Sequence, residues 1–170
     1  KKEDCRIRKV RLLPEHPKAL PEALTAIREA DMIVLGPGSL YTSIIPNFLV
    51  DGISEAIRSS GAVREYILNI MTQDGETDGY TGEDHVRALL EHAGGDVIDV
   101  CIANNAPVPE KWLAPYRQEG VAPIEVDRAG IEALGVAVRE FPLCRPGRYI
   151  RHDADALSRA ILSVWREFEA

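Results

Sequence analysis

Asp31-Met32-Ile33-Val34-Leu35-Gly36-Pro37-Gly38-Ser39-Leu40-Tyr41-Thr42-Ser43-Ile44-Ile45-Pro46-Asn47 joins a strand signal to a glycine turn and a helix start. Four apolar residues, Met32 to Leu35, are closed by a glycine turn, the pattern of a short buried strand running into a tight loop. The two glycines let the backbone approach a ligand, and hydroxyls follow at Ser39, Thr42 and Ser43. A strand, a glycine loop and a helix start can present backbone N–H groups to an anion. The same pattern also serves as a sharp strand-to-helix turn with no ligand, and residue types alone leave both readings open.

Working outward, Pro21 suits a first helical turn, with Ala23, Leu24, Ile27 and Ala30 at helical spacing before the strand. Arg6 to Leu13 mixes basic and branched apolar residues and is expected to form a partly exposed strand, which gives an opening β-α-β pattern. Beyond the loop, Leu49, Ile53, Ala56 and Ile57 predict a helical stripe, which Gly52 threatens to interrupt. Tyr66–Ile70 reads as the next strand. Thr81, followed three residues later by Asp84, caps a helix bearing Val86, Leu89, Leu90 and Ala93, and Gly94-Gly95 stops it.

Val97–Ala103 is almost continuously apolar, as a strand covered on both faces must be. A helix is expected over Glu110–Gln118, a short strand near Ile124–Val126, one or two helical turns within Asp127–Leu134, and a strand over Val136–Phe141. Asp153 then caps an amphipathic helix with Leu157, Ile161, Val164, Trp165 and Phe168 on its buried face. The alternation implies an α/β sandwich around a mostly parallel sheet. Ligands in such folds sit beyond the carboxyl ends of the strands. Three of those ends are unusually polar here: Gly36–Ser43, Asn69–Thr77 and Asn104-Asn105.

Bulk composition narrows the function. The chain has 170 residues, 45% hydrophobic and 28% charged, enough for one domain with a real core. A net charge of -7 argues against nonspecific nucleic-acid binding, which needs a basic face. No apolar run reaches the length of a membrane span. Cys5, Cys101 and Cys144 fit neither a disulfide framework nor a zinc site, so free thiols in a reducing cytoplasm are expected, with Cys101 a small core residue.

Several chemistries fail on spacing. The acids of Asp74–Gly79 begin like a calcium loop, but the twelfth position, which needs a bidentate glutamate, holds His85. Ser39 lacks the flanking glycines of a nucleophile elbow, since Pro37 and Tyr41 stand there. His85 and His92 lack metal spacing and read as exposed helix positions. Arg151, beside a helix start, could pair with a phosphate through a bidentate fork. Tyr116 is either a core-edge aromatic or a ring on which a ligand stacks.

The stretch Ile33–Asn47 resembles the signature of the YvcK-like gluconeogenesis factors, within the superfamily of 2-phospho-L-lactate transferase (CofD-like). Asn69–Thr77 with Asp84-His85, Tyr116 with Glu119-Gly120, and Arg151-His152-Asp153 are similar to that family's later motifs, in the same order. The resemblance implies a three-layer α/β/α, Rossmann-like fold. It also implies a bacterial cytoplasmic protein of carbon metabolism, cell shape and envelope synthesis that binds UDP-sugars, notably UDP-N-acetylglucosamine. On that reading Tyr116 packs on the ligand and Arg151 pairs with its diphosphate. Gly36, Gly38, Ser39, Leu40, Thr42, Ser43, Asn69, Thr72, Gln73, Glu76, Thr77 and Asn104 complete the expected ligand-binding set.

The family's glycine-rich nucleotide loop and its Asp-Asp-Gly-Gly-type segment have no match in this sequence. Residues 1–170 therefore read as a single CofD-like α/β domain corresponding to the C-terminal part of a family member. A nucleoside-diphosphate ligand is the expected partner, a homo-oligomer is left open, and no nucleic acid or membrane insertion is expected. No catalytic residue and no metal ligand is assigned. The alternative that the resemblance carries is a phospholactyl transferase using magnesium, whose metal-binding acid would lie in the unmatched part.

Overall fold

Four parallel strands form the centre of the computed structural model, which describes residues 7–117, 119–145, 147 and 149–169. Strands β1 (Met32–Leu35), β2 (Val63–Ile67), β3 (Val100–Asn104) and β4 (Ala137–Phe141) lie side by side in that order. The register places Met32 opposite Val63, Glu65 opposite Val100 and Val100 opposite Ala137. Val100, Cys101, Ile102 and Ala103 are all buried, so β3 is covered on both faces, as its apolar run predicts. Burial pushes the Cys101 thiol up to about 12, which keeps it a neutral core group.

Helices occupy both faces. Helix α1 spans Pro21–Glu29, α2 Ile45–Phe48, α3 Ile53–Ser59, α4 Gly82–Ala93, α5 Glu110–Arg117, α6 Arg128–Ala133 and α7 Ala154–Glu169. Ile45, Phe48, Ile57, Val86, Leu89 and Ile131 join the larger core on one side of the sheet. Leu157, Ala160 and Val164 of α7 pack on Ile67, Val100 and Ile102 on the other. The protein is thus an α/β sandwich with a parallel sheet.

Local chemistry explains the boundaries. Thr81 and Asp84 form a reciprocal capping box at α4, and Gly94 closes it in the left-handed region. Gly82, the first residue of α4, donates its N–H to Glu125 O at 2.7 Å. A Cβ at Gly82 would collide with Val126 O and lie 3.0 Å from both Leu68 and Ile131 side chains. Gly82→Ala is therefore expected to destabilise the fold by about 1–3 kcal/mol, read as a lower denaturation midpoint with an unchanged slope.

Some elements differ from the sequence reading. The described part of Arg6–Leu13, from Ile7 onward, forms no strand, so the first elements among the described residues are α1 then β1. Ile7 and Val10 still dock on the core, but the Ile7 carbonyl accepts from the Tyr41 hydroxyl at 3.4 Å instead of joining a ladder. Of the helical stripe expected through Leu49–Ile57, only the part from Ile53 is helical, in α3; α2 already ends at Phe48, and Gly52 at φ +94° stands immediately before α3.

Strand β2 starts earlier than the Tyr66–Ile70 expectation, since pairing with β1 begins at Val63. Ile124–Val126 makes no strand, although Ile124 N–H bonds Ile70 O at 2.9 Å beside an isolated bridge between Met71 and Pro123. Helix α5 ends at Arg117, and Gln118 lies outside the described residues. Phe168 is exposed rather than on the buried face of α7, one turn beyond Val164, where the sheet no longer covers the helix. A two-stranded arm, β5 (Cys144–Arg145) paired antiparallel with β6 (Arg151–His152), was not anticipated in the loop after β4.

Candidate functional site

Strand β1 delivers the chain to Gly36, whose φ of +94° turns it sharply above the sheet. A π-helical turn, Leu40–Ile44, follows and leads into α2. Two side chains tie this loop to the end of β2. Asn69 Nδ2 donates to Gly38 O at 2.9 Å, and Ser39 Oγ donates to Gln73 Oε1 at 2.7 Å. Two of the three polar strand ends singled out in the sequence therefore form one continuous wall.

The loop after β2 is itself braced. Thr72 Oγ1 accepts from Ala122 N at 2.9 Å, and Thr77 Oγ1 accepts from Gln73 N at 2.9 Å. Glu76 is buried and accepts the Tyr41 amide at 2.7 Å. That amide belongs to the first turn of the π-helical segment, where N–H groups lack intrahelical acceptors. A protein carboxylate thus already occupies part of the anion position that a helix start after the glycine loop suggested.

The facing wall comes from α5 and the β5–β6 arm. Tyr116 Oη accepts from Ile150 N at 2.7 Å. Arg151 is exposed, with its guanidinium 5.7 Å from the Tyr149 ring centre, a cation–π arrangement. His152 donates Nε2–H to Leu68 O at 3.1 Å, and burial lowers its pKa, so the ring is neutral at pH 7.

Between these walls lies a cavity of about 940 Å³ at the carboxyl ends of β1 and β2. From the first wall, Gly38, Ser39, Ser43, Asn69, Thr72 and Gln73 border it; Tyr116 and Arg151 face them. Among the described residues its lining contains Arg151 and no carboxylate, in a chain of net charge -7. Hydroxyls, amides and a guanidinium surround space large enough for a nucleotide-sized ligand.

The other expected site residues lie elsewhere. Leu40 is fully buried in the core, Glu76 and Thr77 are buried and do not border the cavity, and Thr42 is exposed away from it. Gly36 lines an adjoining apolar hollow of about 260 Å³. Asn104 borders a separate hollow, and its Oδ1 accepts from Leu143 N at 2.9 Å, which anchors the start of the arm.

Tyr149 was missed; the only hint was an aromatic between Arg148 and Arg151 in a Gly-containing loop. His85 is not exposed as its helix position suggested. It is fully buried edge-on to Tyr80, with Nδ1 bonded to Thr81 O at 2.8 Å, and burial lowers its pKa. His92 is likewise partly buried, its ring edge-on to Tyr41. Both rings are recruited by the aromatic pair Tyr41 and Tyr80, whose hydroxyls meet at 2.8 Å.

A parallel sheet with helices on both faces and a polar, arginine-bearing cavity beyond its carboxyl edge defines a Rossmann-like α/β protein. The chain belongs to the CofD family: the model for 2-phospho-L-lactate transferase CofD matches residues 1–144. It is 45% identical over 158 residues to a gluconeogenesis factor of Halalkalibacterium halodurans, covering 92% of this chain and 49% of that protein. The gluconeogenesis factor of Bacillus subtilis is 40% identical over 163 residues, 95% of this chain and 51% of that protein.

A solved structure, a member of the UPF0052 family from Bacillus halodurans, superposes with a TM-score of 0.89 at 45% identity. It matches over 92% of this chain and 51% of its own. The chain spans about half the length of the curated relatives it matches. Among the described residues no helix is long and apolar enough to cross a membrane.

Proposed function

We propose that this chain supplies one side of a nucleotide-sugar site in a regulatory protein of bacterial carbon metabolism, with UDP-N-acetylglucosamine the model ligand. The observation that carries the reading is the cavity lining: among the described residues it holds the Arg151 guanidinium, no carboxylate, and neutral donors on the facing wall. Arg151 suits the diphosphate, because a guanidinium fork matches two phosphate oxygens at once. Ser39, Asn69 and Gln73 offer hydroxyl and amide groups to sugar or base. The curated relatives' name, gluconeogenesis factor, supports the metabolic assignment. The further roles in cell shape and envelope synthesis, and a cytoplasmic location, follow from the resemblance to YvcK-like proteins.

A thermal-shift series on the intact protein tests this. Ligand held only by the native state raises the melting point, by about 2.7 kcal/mol of stabilisation at a hundredfold excess over Kd. Arg151→Ala should weaken UDP-N-acetylglucosamine at least about tenfold, the cost of a charge-assisted bond. An equal shift in wild type and variant would remove Arg151 from the site.

The family model's own description favours a second reading, a phospholactyl transferase. Magnesium would be its cofactor. The described residues hold no group of three His, Cys, Asp or Glu side chains suited to a metal, and Glu76 is engaged with the Tyr41 amide. They do not fit a magnesium site on their own. Turnover of a nucleoside-diphosphate-activated phospholactate with a deazaflavin acceptor would establish that reading.

A further inference from the structure

We propose that Tyr116 is a positioning residue, serving the site through its hydroxyl rather than its ring: it holds Ile150 in place and so sets Arg151 over the cavity. The inference rests on the nucleotide-sugar reading for its ligand and on geometry for its mechanism. Ile150 is buried, and its N–H donates to Tyr116 Oη at 2.7 Å. A buried amide needs a partner, so the hydroxyl fixes the main chain immediately before Arg151.

The rest of the arm is fastened in the same manner by the ends of the central strands. Asn104, the last residue of β3, receives the Leu143 amide through Oδ1 at 2.9 Å. His152 bonds Leu68 O just past β2 at 3.1 Å. Arg151 itself pairs with Arg145 across β5 and β6. Its backbone is thus held from the sheet by Asn104 and His152 and from α5 by Tyr116.

The Tyr116 contact reaches from the opposite element and ends on the residue adjoining the guanidinium. A ring that only stacked on ligand would have no need of a hydroxyl. Stacking predicts that phenylalanine substitutes well, whereas positioning predicts that it does not.

Two measurements on the intact protein separate these. In ligand-free protein, Tyr116→Phe should speed amide exchange at Ile150 by roughly tenfold, one hydrogen bond's worth, while amides of β3 keep their protection. Calorimetric titration with UDP-N-acetylglucosamine should show Tyr116→Phe weakened by roughly tenfold. Arg151→Ala should then cost less in that background than in wild type, because the two residues act in series.

Unchanged Ile150 exchange in Tyr116→Phe overturns the positioning role. So does wild-type affinity in Tyr116→Phe when Tyr116→Leu loses it, the signature of stacking. If wild type fails to bind the nucleotide sugar at all, the functional reading falls, and Ile150 exchange still decides the role of the hydroxyl.

Discussion

Glu65→Gln should be more stable than the wild-type protein by about 3 kcal/mol at pH 8, with the two nearly equal at pH 4. Glu65 lies in the middle of β2, fully buried, and among the described residues neither carboxyl oxygen has a hydrogen-bond partner. Alternation along the strand puts it on the face of Ile67, which packs under α7. Among the described residues the Trp165 indole N–H of α7 is likewise buried without a partner, so it does not bond the carboxyl.

Desolvation alone pushes the Glu65 carboxyl up from 4.5 to about 7. The folded protein therefore favours the protonated acid. Below roughly pH 4 the group is protonated in folded and unfolded chains alike, and it carries no penalty. As pH rises through the unfolded value, the unfolded chain ionises first and stability falls. The fall continues until the buried group itself ionises near 7, and then levels off.

Glutamine removes that slope because it cannot ionise. Urea titrations of both proteins at pH 4, 6 and 8 read the difference directly. A difference that stays constant across this range would show that the carboxyl finds water or a partner when ionised.

The same residue shows where the sequence was hard to read. Arg64 and Glu65 sit inside β2, and two consecutive charges look like a strand's entrance rather than its interior. The expected strand therefore began at Tyr66. Tertiary pairing overrode that pattern, because Asp99 takes the arginine and the sheet buries the glutamate. Strands β1 and β3 were legible for the opposite reason, being largely apolar, although β1 leaves Val34 exposed and β3 runs Val100–Asn104 rather than Val97–Ala103.

The glycine loop and the polar ends at Asn69–Gln73 were legible as a shared wall because turn chemistry and strand ends follow local rules. Residues that face the cavity could not be separated from those behind it. Glu76 and Gln73 are equally polar, yet one caps the π-helical turn from inside and the other borders the cavity. Which of two polar neighbours turns outward is a packing outcome. The β5–β6 arm was illegible in the same way: its paired strands are two residues each, too short for any period to show.

Asp99→Asn should cost about 3 kcal/mol of stability and leave nucleotide-sugar affinity unchanged. Asp99 precedes β3 at the amino end of the sheet, opposite the cavity. Its Oδ2 accepts the Arg64 amide at 2.8 Å and Arg64 Nε at 2.9 Å, while Oδ1 accepts from Nη2. Arg64 Nη1 also donates to Asp96 O at 2.6 Å. The pair is largely shielded, with side-chain exposures of 17% and 28%, so it is worth more than a surface ion pair.

Burial pulls the Asp99 pKa upward, but the hydrogen bonds and charge of Arg64 together outweigh it and hold the carboxyl below its ordinary value. The stabilisation is therefore present above the unfolded value of roughly 4 and is lost as pH falls through the folded one. Wild type should lose stability steeply in acid where Asp99→Asn does not, so the two curves converge at low pH. This slope is opposite in sign to that of Glu65, and it falls in a lower pH window. Equal acid sensitivity in the two proteins would mean that the Arg64 pair contributes nothing in solution. A loss of ligand affinity in Asp99→Asn would mean instead that the amino end of the sheet is coupled to the cavity at the other.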